Sequence, residues 1–125
     1  MHEASLVEGL LKYALGAVQE YNAKHPDQPQ ARISRLICEA GLLAGFENQT
    51  LKACFEIFTE NTLAEGAELI INTAPLACSC KNCGEQFQLI ERKFICPKCG
   101  NSDILFKGGN GLILQAINVE QDKSQ

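Results

Sequence analysis

The feature that most constrains this chain is a set of four cysteines with the spacing C-x2-C-x12-C-x2-C, namely Cys80, Cys83, Cys96 and Cys99. Two residues between thiolates allow one tight turn to direct both sulfurs at a common centre, and two such turns complete a tetrahedron. Gly84 and Gly100 each follow the second cysteine of a pair, where the lack of a Cβ permits the positive φ that closes the turn. The segment is therefore predicted to form two metal-binding knuckles of the same kind.

Zinc is the ion that best suits four thiolates. Tetrahedral all-sulfur sites favour zinc, and four protein ligands leave no open position for a substrate, so the site is expected to be structural. A rubredoxin-like iron centre has the same geometry and is the alternative, in which case the protein would be a coloured redox protein. Cys78 is an alternative to Cys80, although C-x4-C gives a looser chelate. Cys38 and Cys54 lie on apolar faces and are interpreted as buried, inert thiols.

The charge balance argues against nucleic acid as a partner. The 125 residues include 11 Lys+Arg against 15 Asp+Glu, a formal net charge of −4, whereas phosphate-backbone binding needs clustered basic residues. The few basic residues near the knuckles are offset by Glu85, Glu91 and Asp103. A zinc-ribbon module for nucleic-acid or protein interaction is nevertheless the alternative function.

A cytoplasmic location is expected. No apolar run approaches the ~20 residues of a membrane span. Glu3 and Glu8 occupy the place of the basic region that opens a signal peptide. Seven cysteines are an odd number, which fits thiols in a reducing compartment better than a disulfide framework.

The hydrophobic pattern predicts helix, strand, helix, strand, ribbon, strand. A helical stripe begins at Leu6, and the helix is expected to start almost at the first residue and to end before 22–31, where two prolines interrupt. The second helix is predicted to have Asn48 as its N-cap and a stripe formed by Leu51, Cys54, Phe55 and Phe58. Strands are predicted at 33–40, 67–77 and 111–120, with Pro75 marking the fraying end of the second, and 122–125 is interpreted as a flexible tail.

The start Met1-His2-Glu3 has a chemistry of its own. A histidine in second place binds a metal through its imidazole, while its deprotonated amide and the free α-amine close adjacent chelate rings. Ni(II) and Cu(II) prefer such a planar nitrogen set more than Zn(II) does. The other histidine, His25, lies in a proline-containing loop and is interpreted as a solvated surface residue. The sequence shows no Ser/His/Asp set, phosphate-binding loop or paired-carboxylate pocket, so we do not expect an enzyme.

Three stretches together resemble the HypA/HybF family of nickel metallochaperones. They are the Met1-His2-Glu3 start, the run from Phe55 to Thr59 continuing into 62–69, and the knuckles ending in Cys96-Pro97-Lys98-Cys99-Gly100. The resemblance spans nearly the whole chain. Relatives often carry a histidine directly after a knuckle cysteine, where this chain has Gly84 and Gly100.

The resemblance implies a nickel metallochaperone that helps to insert Ni(II) into [NiFe]-hydrogenase, and in some organisms urease, with the nickel GTPase HypB and the hydrogenase large subunit as partners. It makes His2 the nickel ligand, together with the Met1 amine and the backbone nitrogens of His2 and Glu3. The zinc ligands it implies are Cys80, Cys83, Cys96 and Cys99. The implied fold is α/β, with two helices packed on a three-stranded sheet and an inserted zinc-ribbon domain. The expected domains are a discontinuous nickel-binding domain, 1–77 plus 108–121, and a zinc ribbon at 78–107.

Overall fold

The computed structural model describes residues 3–121. Its elements are α1 (Glu3–Lys24), β1 (Ala31–Gly41), α2 (Asn48–Phe58), β2 (Glu68–Ala74), β3 (Leu76–Cys80), β4 (Gln86–Leu89), β5 (Ile104–Phe106) and β6 (Leu112–Gln121). The strands form two three-stranded sheets, in the orders β2-β1-β6 and β4-β3-β5. The predicted α/β fold, two helices with a three-stranded sheet and an inserted ribbon, is confirmed.

The first helix buries the apolar stripe that its sequence predicts. Val7, Leu11, Ala14 and Val18 are its buried residues. The helix continues to Lys24, beyond the predicted end before residue 22, because Pro26 disfavours helical backbone only in the residue directly before it. Within the described range of 3–121, no helix has the length and apolar character needed to cross a membrane.

The loop after α1 is closed by the side chain of Asn22. Its Nδ2 donates to the carbonyl of Ala31 at 3.1 Å, and its Oδ1 accepts the N–H of the same residue at 2.8 Å. These two hydrogen bonds tie the last turns of α1 to the first residue of β1. The two-proline segment between them therefore forms a short connection with fixed ends.

The second helix is capped by Glu47, so the prediction of Asn48 as the N-cap is wrong. Glu47 has extended backbone, and its carboxylate accepts the N–H of Gln49 at 3.1 Å. Asn48 is already the first helical residue, which leaves its side chain out of the capping position. The buried face of α2 consists of Leu51 and Phe55, and the helix ends at Phe58.

The first sheet has β1 as its central strand. Ser34 Oγ donates to the carbonyl of Asn118 at 3.1 Å, and the N–H of Gly41 donates to the carbonyl of Gly111 at 2.8 Å. Because the partner numbers fall as the β1 numbers rise, β1 and β6 run antiparallel. The predicted strands at 33–40 and 111–120 are therefore confirmed, each with ends shifted by one or two residues.

The single strand predicted at 67–77 is wrong, because Pro75 divides it. Strand β2 ends at Ala74 and belongs to the first sheet, whereas β3 begins at Leu76 and is the central strand of the second. Proline has no backbone N–H to donate to a sheet, so it separates two strands that their apolar pattern alone would join.

The chain forms two compact units. Among the described residues, one contains 3–38, Phe46–Ile71 and 114–121; the other contains Glu39–Gly45 and Asn72–Ile113. The second unit thus includes the whole range 78–107 and also takes in flanking residues, the last three residues of β1 and the four residues that follow it.

The second unit has a small apolar core of its own. Its buried residues are Leu42, Leu76 and Cys78, and half-buried hydrophobic side chains from 43–104 pack around them. Two hydrogen bonds hold the Leu42 segment in place: the N–H of Leu43 donates to the carbonyl of Gly109 at 2.7 Å, and Arg92 Nε donates to the carbonyl of Leu42 at 2.9 Å.

Candidate metal centre

The second sheet positions the first knuckle. Strand β3 pairs antiparallel with β4 and with β5, so that Cys78 lies opposite Phe87 on one side and Phe106 on the other. Leu76, Cys78 and Cys80 alternate with more exposed residues and are buried on one face of the strand. The chain leaves this face at Cys80, which is both the last residue of β3 and the first cysteine of the knuckle.

The two knuckles have the same backbone turn. The N–H of Gly84 donates to the carbonyl of Cys80 at 2.9 Å, and the N–H of Gly100 donates to that of Cys96 at 2.9 Å. Gly84 has φ 79° and Gly100 has φ 77°, a backbone region that residues with a Cβ rarely adopt. The role predicted for the two glycines is therefore confirmed.

The four predicted cysteines meet at one point. The sulfur atoms of Cys80, Cys83, Cys96 and Cys99 all lie within 4.8 Å of one another. The separation is 3.6 Å between Cys80 Sγ and Cys99 Sγ, and also 3.6 Å between Cys83 Sγ and Cys96 Sγ. A tetrahedral zinc with Zn–S bonds of about 2.3 Å places its sulfurs about 3.8 Å apart. Both the donor set and its spacing thus suit a four-coordinate ion.

Backbone N–H groups point at the sulfurs of both knuckles. Cys80 Sγ accepts the N–H of Cys83 at 3.5 Å. Cys96 Sγ accepts the N–H groups of Lys98 at 3.4 Å and Cys99 at 3.5 Å. Such hydrogen bonds stabilise thiolate over thiol, because they delocalise the negative charge on sulfur. At Cys96 desolvation by burial acts to raise the pKa of the thiol, but the N–H groups of Cys99 and Lys98 outweigh it and hold the pKa below its ordinary value.

The exposed sulfurs of Cys83 and Cys99 differ in pKa. The backbone N–H of Asn101 and the side-chain amide of Asn82 lower the pKa of Cys99 to about 6. At Cys83 the N–H of Glu85 acts in the same direction, but desolvation and the neighbouring thiols outweigh it and raise the pKa to about 12. Sulfurs this close together share protons, and a bound cation would take the place of those protons.

The other three cysteines lie outside this group. Cys78 is buried in the core of the second unit, where its Sγ donates to the carbonyl of Leu76 at 3.5 Å. Cys38 is fully buried in β1, and burial raises the pKa of its thiol to about 11. Cys54 lies on α2 and is half-buried. The geometry thus brings together Cys80, and not Cys78, with the three remaining members of the motif.

The predicted nickel ligands Met1 and His2 lie outside the described residues, as does the tail at 122–125. Glu3 is the first residue of α1, and its Oε2 accepts the N–H of Glu47 at 3.2 Å. The second histidine, His25, has its Nδ1 at 2.9 Å from the carbonyl of Tyr21 and stacks on the ring of the same residue at 4.2 Å between centroids.

Sequence reasoning missed one residue at the cysteine cluster. Asn82 lies between the first two cysteines of the motif, and its Nδ2 donates to Cys99 Sγ of the other knuckle at 3.7 Å. The sequence did offer a signal, because an amide side chain inside a C-x2-C turn must lie close to the metal-binding sulfurs. Which sulfur it contacts depends on how the two knuckles face each other, and spacing does not specify that.

Comparison with known proteins places the chain in a family. The family model described as "Hydrogenase/urease nickel incorporation, metallochaperone, hypA" matches residues 1–119. Among relatives named hydrogenase maturation factor HypA, the protein of Aquifex aeolicus is 32% identical over 122 residues, which cover 98% of this chain and 100% of the relative. That of Dehalococcoides mccartyi strain 195 is 33% identical over 125 residues, 100% of this chain and 98% of the relative.

Solved structures share the fold. The solution structure of the Ni metallochaperone HypA from Helicobacter pylori matches with a TM-score of 0.57 and 23% identity, and the match covers 98% of this chain and 100% of that one. With the family match over nearly its whole length and relatives above 30% identity, the chain belongs to the HypA family of nickel metallochaperones for hydrogenase maturation.

Proposed function

We propose that this chain binds Ni(II) at its N-terminus and delivers it to [NiFe]-hydrogenase, and to urease where a cell makes one. The proposed ligands are the His2 imidazole, the Met1 α-amine and the backbone nitrogens of His2 and Glu3. Four nitrogens in one plane are the geometry that Ni(II) prefers. The observation that carries the proposal is a family match that begins at residue 1 and so includes the Met1-His2-Glu3 start.

The position of Glu3 supports a defined site at the start of the chain. Its carboxylate accepts the N–H of Glu47, which is the N-cap of α2. A carboxylate beside the N-terminus of a helix is stabilised by the helix dipole, so this contact favours one location for residue 3. A nickel ion held by residues 1–3 would then lie close to the N-terminus of α2.

The same contact suggests where partners bind. We propose that the nickel GTPase HypB and the hydrogenase large subunit contact the first turns of α1 and the adjacent α2, because an ion passed directly between proteins must travel a short distance. Amide hydrogen exchange of the chain with and without the GTPase would test this. Protection is expected in residues 3–10 and α2; protection confined to 78–107 would contradict it.

For the cysteine cluster we propose one structural zinc. When bound, the ion would crosslink the two knuckles through Cys80, Cys83, Cys96 and Cys99, and four protein ligands would leave it no coordination position for a substrate. The chain would then be an accessory protein that catalyses no reaction, with a nickel-binding domain (1–77 plus 108–121) and a zinc ribbon (78–107). Its seven cysteines form no disulfide, which suits work in the reducing cytoplasm.

Nickel titration of tag-free protein tests the proposed site. We expect one Ni(II) per chain with the yellow d-d band of a planar diamagnetic complex. Affinity should fall as pH drops through about 6.5, because a protonated imidazole cannot donate to the metal. His2→Ala, acetylation of Met1 or one extra residue before Met1 should each abolish this binding while leaving zinc content unchanged.

The matched control is His25→Ala, which removes the only other histidine of the chain. Its Nδ1 contacts the Tyr21 carbonyl, so we expect this variant to bind nickel like the unmodified protein. If His2→Ala retained one equivalent of nickel with unaltered affinity and spectrum, the N-terminal site would have to be abandoned.

A further inference from the structure

The amide of Asn82 joins the two knuckles. It belongs to the first knuckle by sequence, between Cys80 and Cys83, but its Nδ2 donates to Cys99 Sγ in the second, at 3.7 Å. The corresponding position of the second knuckle is Lys98, whose Nζ lies 4.0 Å from a carboxylate oxygen of Glu85. The two knuckles therefore share a backbone turn and differ in this side-chain contact.

Access to the cluster is also unequal among its four sulfurs. Cys80 is 3% exposed and Cys96 is 1% exposed, whereas Cys83 and Cys99 are both exposed. A reagent, an oxidant or a competing metal ligand therefore reaches the cluster through one of the two exposed cysteines. A difference in reactivity between the sulfurs of Cys83 and Cys99 therefore determines which of them reacts first.

Hydrogen bonding separates these two exposed sulfurs. Cys99 Sγ receives the side-chain amide of Asn82 in addition to the backbone of its own turn, whereas Cys83 receives its donor from the backbone N–H of Glu85. Each N–H donor withdraws charge from a thiolate and weakens it as a nucleophile. An additional donor at Cys99 therefore leaves Cys83 as the more nucleophilic of the two.

We propose that Asn82 is a positioning residue that holds Cys99 across the knuckles and thereby makes Cys83 the sulfur at which the zinc site reacts and opens. An electrophile that alkylates a zinc-bound thiolate converts it into a neutral thioether, which holds zinc much less strongly, so the site opens at the sulfur that reacts first. That sulfur is the exposed one with fewer N–H donors. The proposal rests on zinc as the occupant of the cluster.

Alkylation of the zinc-loaded full-length chain tests the proposal. The probe is iodoacetamide at low stoichiometry, which forms a C–S bond with a cysteine sulfur and releases iodide; mass spectrometry then locates the label. In the unmodified protein we expect label first at Cys83. In Asn82→Ala the rate at Cys99 should rise about fivefold, the factor that corresponds to one exposed hydrogen bond, while the rate at Cys83 stays unchanged.

Two further variants separate the hydrogen bond from other effects of Asn82. Asn82→Leu keeps the branched shape of the side chain but lacks the N–H donor, so it should accelerate labelling of Cys99 like Asn82→Ala. Lys98→Ala alters the matching position of the second knuckle, which lacks a contact of this kind, and should leave the labelling pattern unchanged. Protection of Cys99 by Asn82→Leu would show that the side chain only covers the sulfur, and would overturn the proposal.

Metal analysis of the same samples distinguishes failure of the proposed role of Asn82 from failure of the zinc assignment. Two results with zinc-loaded protein would overturn the role of Asn82 and leave the zinc assignment intact. One is equal acceleration of labelling at all four sulfurs in Asn82→Ala, and the other is first labelling of Cys99 in the unmodified protein. A protein that contains no zinc before treatment overturns both.

Discussion

At the residue scale, Cys78 and Cys80 lie two positions apart on one face of β3 and have different environments. Cys78 contacts the carbonyl of Leu76 within an apolar core, whereas Cys80 Sγ is 3.6 Å from Cys99 Sγ. We expect Cys78→Ser to keep one zinc per chain and to lose about 1 kcal/mol of stability, because a hydroxyl replaces an apolar thiol. Cys80→Ser should lose the zinc; elemental analysis of both proteins checks this, and zinc loss in Cys78→Ser would show that the wrong cysteine was chosen.

Cys38 makes stability depend on pH in a defined window. Burial raises the pKa of its thiol from 9.0 to about 11, so the folded state holds the proton more tightly than the unfolded state does. The stabilisation is fully present below pH 9 and is lost as pH rises toward 11, because the unfolded chain ionises first. Urea unfolding at several pH values should show this loss in the unmodified protein and a shallower one in Cys38→Ala; equal slopes would exclude it.

At the element scale, the end of β1 is fixed by a close backbone approach. A Cβ on Gly41 would collide with the carbonyl group of Gly109, and the neighbouring N–H of Leu43 is hydrogen-bonded to that same carbonyl. We therefore expect Gly41→Ala to destabilise the protein by about 1–3 kcal/mol. Gly16→Ala in α1 is the matched control: it meets open space and should stabilise by about 1 kcal/mol, since alanine favours a helix. Thermal unfolding measures both; a neutral Gly41→Ala would contradict the contact.

The sequence predicted these elements better than it predicted their ends. The stripe of α1 and the alternation of β1 are periodic over many residues, so they identified a helix and a strand without tertiary information. Single competing contacts decided the ends. Glu47 reaches Gln49 and displaces Asn48 as the cap, and Pro75 removes one hydrogen-bond donor from an otherwise continuous apolar run. Neither effect changes the periodicity, and Pro75, which by itself predicts only a frayed strand end, does not show that a new strand in another sheet begins directly after it.

At the scale of the whole molecule, we expect the second unit to depend on the proposed zinc for its stability, and the first unit to be independent of it. Its strands β3, β4 and β5 contain 5, 4 and 3 residues, and its buried core consists of three side chains. Zinc bound by the four thiolates would supply folding free energy that so small a core lacks. After removal of zinc by a chelator, amide exchange should lose protection in 72–113 while α1 and α2 keep theirs. Equal loss in the helices would contradict this independence.

The cysteine cluster could be predicted because a short stretch of sequence specifies each knuckle. The apolar residues that pack beneath the second sheet could not be predicted in this way. Two residues between cysteines and a glycine after each pair specify a knuckle wherever it occurs. Leu42 and Leu43 pack into the core of the second unit although they follow β1, far from the ribbon in sequence. Nothing in the sequence between Gly41 and Gly45 indicates which part of the chain these two side chains contact, so only the structure shows it.

Because β1 lies at the centre of the first sheet, that sheet stays incomplete until the last strand, β6, has been synthesised. The two units are therefore completed in a fixed order on the ribosome. Every residue of the second unit, 39–45 and 72–113, is synthesised before Leu114, whereas the first unit still needs β6 as the partner of β1. Domains fold as units during synthesis from the N-terminus. The nascent chain can therefore form both knuckles while one edge of β1 still lacks its neighbour, so the unit inserted in the middle of the sequence is the first to be completed.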